Sequence, residues 1–180
     1  LGLVELGLIA HQAGRTLSGA PFLTSSFGAA KAIELYGSDA QKSKWLPGLA
    51  SGETIGAVTI ASGANALPQR PRTSFANDQV DGIATGVSGG LAADIAIILA
   101  QGSGGPTLII AELAAVERQA IASFDNSRCV ANLHFKATPA EILVDGQGAR
   151  DAALHILALQ AVITAHEQTG GAESLMETAR

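Results

Sequence analysis

The sequence predicts an α+β chain, with a helical segment, then a small antiparallel β-barrel, then the start of a helical bundle. Apolar residues recur at helical spacing as far as Gly52. Short β-rich runs set between Gly, Asn, Asp and Pro clusters fill the middle of the chain. From Gly148 onward an Ala- and Leu-rich stretch returns to the helical pattern. These shifts divide the chain into residues 1–53, 54–144 and 145–180.

In the first zone, Leu3, Leu6, Ile9 and Ala10 share one helical face, and Phe22 to Tyr36 carries Phe27, Ala30, Ile33, Leu35 and Tyr36 among good helix formers. Gly37 is expected to end that helix as a left-handed cap. Ser38 and Gln41 then have the spacing of a capping box that opens the next helix. Pro47 is expected to shorten or kink it, unless the pattern restarts around Leu46. In the second zone, Ile55–Ile60, Val80–Thr85, Ile95–Leu99 and Thr107–Ala111 read as strands. Cys129, Ala131, Leu133 and Phe135 alternate with Val130, Asn132, His134 and Lys136, which predicts a half-buried strand with Cys129 as a small core residue. Ser62 to Asn77, with Pro68, Pro71 and two arginines, reads as a loop. In the third zone, Ala152, Leu154, Leu157, Leu159, Ala161, Val162 and Ala165 spread over a wide face, so this helix is expected to pack among others. Gly170-Gly171 costs about 1–2 kcal/mol of helix propensity, which close contact with another helix would explain.

Of 180 residues, 47% are hydrophobic and only 15% charged, and the mean hydropathy is +0.29. So little charge predicts surface hidden against a partner, or against sequence beyond this chain. A net charge of -5, with no basic stripe, argues against a nucleic-acid binder. The single cysteine excludes an internal disulfide framework and a multi-cysteine metal site, and fits a reducing, cytoplasmic setting. The longest apolar run, Ile95 to Ala100, is strand-sized, so no membrane span is expected. Leu1-Gly2-Leu3-Val4 lacks a basic region and cleavage site, so it is not read as a signal peptide. Both ends read as the interior of helices, as in a fragment.

The stretch Tyr36-Gly37-Ser38-Asp39-Ala40-Gln41-Lys42-Ser43-Lys44-Trp45-Leu46-Pro47-Gly48-Leu49-Ala50-Ser51-Gly52-Glu53 closely resembles a motif of the acyl-CoA dehydrogenases, and Ile55-Gly56-Ala57 continues it. A second block, Val80-Asp81-Gly82 through Ala93-Asp94, resembles the family's next strand and turn. Phe135-Lys136-Ala137-Thr138-Pro139-Ala140-Glu141-Ile142-Leu143 resembles its barrel exit, and Ala165 to Arg180 resembles the start of its C-terminal helices. The resemblance implies FAD-dependent α,β-dehydrogenation of an acyl-CoA thioester, in fatty acid or steroid degradation. It also implies an electron-transfer flavoprotein as acceptor and a homo- or hetero-oligomer. The family's catalytic base lies in later helices, so no catalytic residue is assigned and this chain alone is expected to be inactive.

The resemblance places the flavin contacts at Ala61, Ser62 and Ser88. Ala61 and Ser62 stand where the family has Thr and Glu. Gly86 and Ser88 stand where it has Trp and Thr, and Ala84 replaces a Lys. Ser88 keeps a hydroxyl for the flavin, although Gly-Val-Ser-Gly-Gly also reads as a simple turn. These losses leave open a non-catalytic structural subunit that completes a partner's active site. Two other motifs are set aside. Gly86, Gly89 and Gly90 lack the strand–GxGxxG–helix order of a dinucleotide loop. Gly86 to Gly90 match G-x-S-x-G, but a strand rather than a helix is expected to follow Ser88. Gly146-Gln147-Gly148 reads as a linker. His155 and His166 lie roughly three helical turns apart, so no shared metal site is expected.

Overall fold

The computed structural model of the chain describes residues 2–61, 67–68, 70–123 and 128–180. Helix α1 spans Leu3–Arg15, a π-helical segment spans Phe22–Ala29 and runs directly into α2, Ala30–Tyr36, and α3 spans Asp39–Ser51. Among the described residues seven strands follow: β1 Gly56–Thr59, β2 Thr73–Ala76, β3 Gln79–Ser88, β4 Ile95–Gly102, β5 Gly105–Glu112, β6 Glu117–Ala120 and β7 Val130–Val144. Helix α4, Gln147–Thr178, closes the chain and at 32 residues is roughly 48 Å long.

The sheet closes into a small barrel through the order β4, β2, β3, β7, β5 and back to β4, with β6 added to β7 and β1 to β4. Most pairs are antiparallel, as the sequence suggests, but β1–β4 and β2–β4 are parallel. The long excursion between β1 and β4 is what permits a parallel return. Strand β4 explains its own continuous apolar run. Ala96, Ile98 and Ala100 fill the barrel, while Ile95, Ile97 and Leu99 point outward beneath the helices. A strand covered on both faces has no polar alternation to show. The outer layer joins Ala32, Ile33 and Leu49 of α2 and α3 to Ala149, Ala152, Ala153 and Ile156 of α4. Each large buried aliphatic side chain there contributes about 1.5–3 kcal/mol.

Several local expectations need correction. The stretch read as a loop contains β2, whose residues pair with β3 through a two-residue Asn77-Asp78 turn. Both turn residues have positive φ, 52° and 55°, the geometry of the hairpin turns that Asn and Asp favour. Gly37 is not a left-handed cap; its φ of −72° and ψ of 148° are extended. A side chain there would meet the Ile33 carbonyl oxygen at 2.6 Å, so close approach is what requires glycine. Gly52, at φ 82°, is the left-handed cap of α3 instead. Pro47 lies inside α3 without ending it. Cys129 is not a core residue. It is exposed and precedes the first paired residue of β7, whereas Ala131, Leu133 and Phe135 are buried as read.

The capping box forms as expected. Ser38 Oγ accepts from Gln41 N at 3.3 Å, and Ser38 N donates to Gln41 Oε1 at 2.9 Å. Gln41 also donates to the Ile142 carbonyl at 3.0 Å, tying α3 to β7. Beside it, Lys44 Nζ bridges Glu112 at 2.9 Å and Glu141 at 2.8 Å. The hydrogen bond from Lys44 holds the Glu141 carboxyl below its ordinary value, and Glu141 with Glu112 raises Lys44. The Glu141 contribution is therefore present above the unfolded carboxylate pKa and is lost as pH falls through the lowered folded value. The Lys44 contribution is lost only as pH rises through its own raised value. Both partners are substantially exposed, so Lys44→Ala should cost less than about 1 kcal/mol at neutral pH. It should also flatten the acid limb of a stability-versus-pH curve measured by urea unfolding; an unchanged acid limb would dissociate Glu141 from Lys44.

Candidate functional site

The strand β1 and the far half of β3 form a seam that has small residues along it. One end is lined by Thr59, Ile60, Ala61, Ile83, Ala84 and Thr85. At the other end Ile55, before β1, and Ser88, closing β3, line a second pocket of 110 Å³ together with Thr24, Gly89 and Arg128. The structure thus places Ala61 and Ser88 at opposite ends of one seam, not in one cluster. Ser62 lies outside the described residues.

Backbone shape accounts for the Ser88 end. Gly86 and Gly89 both have left-handed φ, 68° and 74°, on either side of it. Nothing lies within 4 Å of where a Gly86 side chain would begin, so this position is open space. The Gly86 amide donates to Asn132 Oδ1 at 3.1 Å, which holds the bulged strand to β7. A turn through Gly89–Ala92 and then strand β4 follow Ser88, so the nucleophile-elbow geometry is not formed. At the head of β1, Asp94 Oδ2 accepts from the Ile55 amide at 2.8 Å and fixes β1 beside β4.

The π-helical segment supplies the remaining wall. It sits directly on β1, where the Gly56 amide donates to Ser25 Oγ at 2.9 Å in a buried contact. From α4, Gln160 Nε2 donates to the Leu23 carbonyl at 3.1 Å. Wound this way, the segment presents Thr24, 8% exposed, to the Ser88 pocket. Its Oγ1 has no hydrogen-bond partner among the described residues. A buried hydroxyl left unpaired is costly, so Thr24 is the residue that the sequence reading missed. The signal was present in Thr24-Ser25-Ser26, three hydroxyl residues inside a mostly apolar helix, of which Thr24 and Ser25 are buried.

Arg128 and Cys129 border the same pocket, and Arg128 is paired with Glu167 of α4 at 2.5 Å. No carboxylate lines either pocket among the described residues. Among those residues there is also no group of His, Cys, Asp and Glu fit to hold a metal. No described helix is long and apolar enough to cross a membrane. Two of the four histidines have local partners: His155 Nδ1 lies 2.7 Å from the Tyr36 hydroxyl, and His11 Nε2 lies 3.2 Å from Glu173. Before α4, the Asp145 carboxylate accepts from Thr107 and from the Gly146 amide, in keeping with a linker.

Residues 1–53 match the family model for the acyl-CoA dehydrogenase N-terminal domain. None of the curated proteins compared matches the chain. Solved structures share the fold. The ChsE4-ChsE5 complex from Mycobacterium tuberculosis superposes with a TM-score of 0.82 at 23% identity, over 99% of this chain and 49% of that one. A glutaryl-coenzyme A dehydrogenase in complex with glutaryl-CoA gives 0.81 at 19% identity, over 98% and 49%. Butyryl-CoA dehydrogenase from Megasphaera elsdenii gives 0.76 at 22% identity, over 96% and 49%. The chain therefore spans about half the length of the structures it matches. The first helices thus match the family's N-terminal domain model, and the chain as a whole shares the fold of these structures.

Proposed function

We propose that this chain, related as it is to the acyl-CoA dehydrogenases, forms one wall of an FAD and acyl-CoA site in an oxidoreductase or a subunit of one. The observation that carries the reading is the β1–β3 seam with the Ser88 hydroxyl at its end. Ser88 lines the 110 Å³ pocket there, and the open space at Gly86 leaves room beside it. Ser88 would donate to the flavin ring. Ala61 would offer it only backbone and a methyl group. When bound, FAD supplies the hydride acceptor for the thioester's β-carbon. The chain's own residues would position the flavin edge and exclude water from it. A cytoplasmic site, an electron-transfer flavoprotein acceptor and an oligomeric state belong to the same proposal. The apolar residues exposed on α1 and α4, among them Leu8, Leu154 and Val162, support the last.

The open space at Gly86 and the Ala61 methyl favour a second reading, a non-catalytic subunit that retains the fold. Titration of FAD into the purified chain, followed by flavin fluorescence, separates the two. Saturable quenching is expected, and Ser88→Ala should weaken binding by about 0.5–1.5 kcal/mol, the value of one hydrogen bond. No binding at any concentration would leave the structural-subunit reading. Binding that ignores the substitution would remove Ser88 from the site.

A further inference from the structure

The chain contains two Asp-Gly peptides, Asp81-Gly82 and Asp145-Gly146. In such a pair the glycine nitrogen can attack the carboxyl carbon before it, because no side chain on the second residue crowds the ring that forms. The fold treats the two differently. Gly82 lies inside β3, opposite Thr73 of β2 on one side and Phe135 of β7 on the other. Asp81 Oδ1 is turned across the sheet, where it accepts from the Ala137 amide at 2.8 Å. A side chain on Gly82 would meet the Arg72 carbonyl oxygen at 2.6 Å, so this backbone is closely packed. Asp145-Gly146 instead follows β7 and precedes α4. Here the Gly146 amide donates to Oδ1 of its own neighbour, Asp145, at 2.8 Å. Nothing lies within 4 Å of where a Gly146 side chain would begin.

We propose that Asp145-Gly146 is a site of spontaneous modification, where the peptide closes to a succinimide and reopens as an isoaspartyl linkage. The carboxyl carbon is one bond of about 1.2 Å beyond Oδ1, so the reacting atoms are held close to attack distance. The Thr107 hydroxyl donates to the same Oδ1 at 2.7 Å, which draws electron density from the carbon under attack. From the protonated carboxyl, the Gly146 nitrogen bonds to Cγ, and its proton leaves with the Oδ2 hydroxyl as one water. A second water then adds to the main-chain carbonyl carbon of Asp145, and the bond from that carbon to the Gly146 nitrogen breaks. The main chain now runs through Cβ and Cγ, with no net change in mass or oxidation state. Asp145 is exposed, so water reaches the ring. The added methylene falls between β7 and α4. Thr107, 1% exposed, loses its Asp145 acceptor and keeps only the Gly105 carbonyl at 3.4 Å. The modified chain is therefore expected to unfold more readily.

The test ages the folded chain at physiological temperature and pH, in parallel with the same chain held in urea. Isoaspartate at each Asp-Gly peptide is then measured by peptide mapping with electron-transfer mass spectrometry. In the folded chain Asp145-Gly146 is expected to convert at least about tenfold faster than Asp81-Gly82, and no more slowly than it does in urea. In urea the two peptides should convert at similar rates. Thr107→Val should slow conversion at Asp145 about fivefold to tenfold in the folded chain, the worth of one hydrogen bond, and leave the rate in urea unchanged. Thr107→Ser should keep the wild-type rate, which guards against a fold defect in the valine variant. Equal conversion of the two peptides in the folded chain overturns the proposal, as does a rate at Asp145 that folding lowers. A Thr107→Val chain that ages as fast as wild type overturns it too.

Discussion

Replacing Gly170 by alanine is expected to destabilise the chain by about 2–3 kcal/mol, while the same change one residue on, at Gly171, stabilises it by up to about 1 kcal/mol. Both glycines lie in the middle of α4, where alanine is the better helix former by that amount. The crossing with α1 reverses the sign at only one of them. A methyl group on Gly170 would land on the His11 carbonyl oxygen and its carbon, backbone atoms that cannot rotate away. The contact is reciprocal, because a methyl on Gly14 of α1 would land on the Glu167 carbonyl. At Gly171 the nearest atom is the Gly14 oxygen at 3.5 Å, an ordinary contact. The two backbones therefore touch, and Arg15 adds exposed ion pairs to Glu173 at 2.7 Å and Glu177 at 2.6 Å, which are worth little alone. Urea midpoints at constant m-value measure the pair of variants. Shifts of the same sign in both would show that the crossing does not rest on glycine.

The Gly170-Gly171 pair illustrates what the sequence discloses well. Its propensity cost inside a helical pattern pointed to close packing, and the packing is there. The Ser38–Gln41 box was legible for a similar reason, since both partners lie within one turn and need no tertiary context. Long-range features were less legible. Strand β2 is only Thr73–Ala76 and its buried positions are Thr73 and Phe75, too short a period to stand out between Arg72 and Asn77. Strand β6, Glu117–Ala120, is polar and largely exposed, so it carries no apolar alternation. Cys129 continued the alternation of β7 by one step in sequence, but pairing with β3 begins at Val130. The candidate pocket was half visible. Ser88 could be placed by its spacing from Gly82 and Asp94, whereas Thr24 becomes notable only once the π-helical winding and the unpaired hydroxyl are known.

Gly56→Val is expected to cost about 3 kcal/mol and to displace Thr24 from its place beside Gly89, although Gly56 does not line the pocket those two share. The substitution would suit an exposed strand, because β-branched residues favour the pleated conformation. Here the π-helical segment rests on β1 at this position. A side chain on Gly56 would strike the Ala29 methyl and crowd Leu49 Cδ2 at 3.3 Å. Ala29, at 0% exposed, and Leu49, at 2%, have no room to retreat. Relief requires the segment to lift, which would break the bond from the Gly56 amide to Ser25 Oγ and displace the adjacent Thr24. Ser25→Ala separates the two effects. It leaves the buried amide unpaired, for about 1–3 kcal/mol, without adding volume, so Thr24 should stay in place. Thermal unfolding and the Thr24 and Gly89 amide shifts of both variants decide the matter. A Gly56→Val chain of wild-type stability, or one whose Thr24 and Gly89 amides do not shift, would show that the seat of the segment on β1 does not position the pocket.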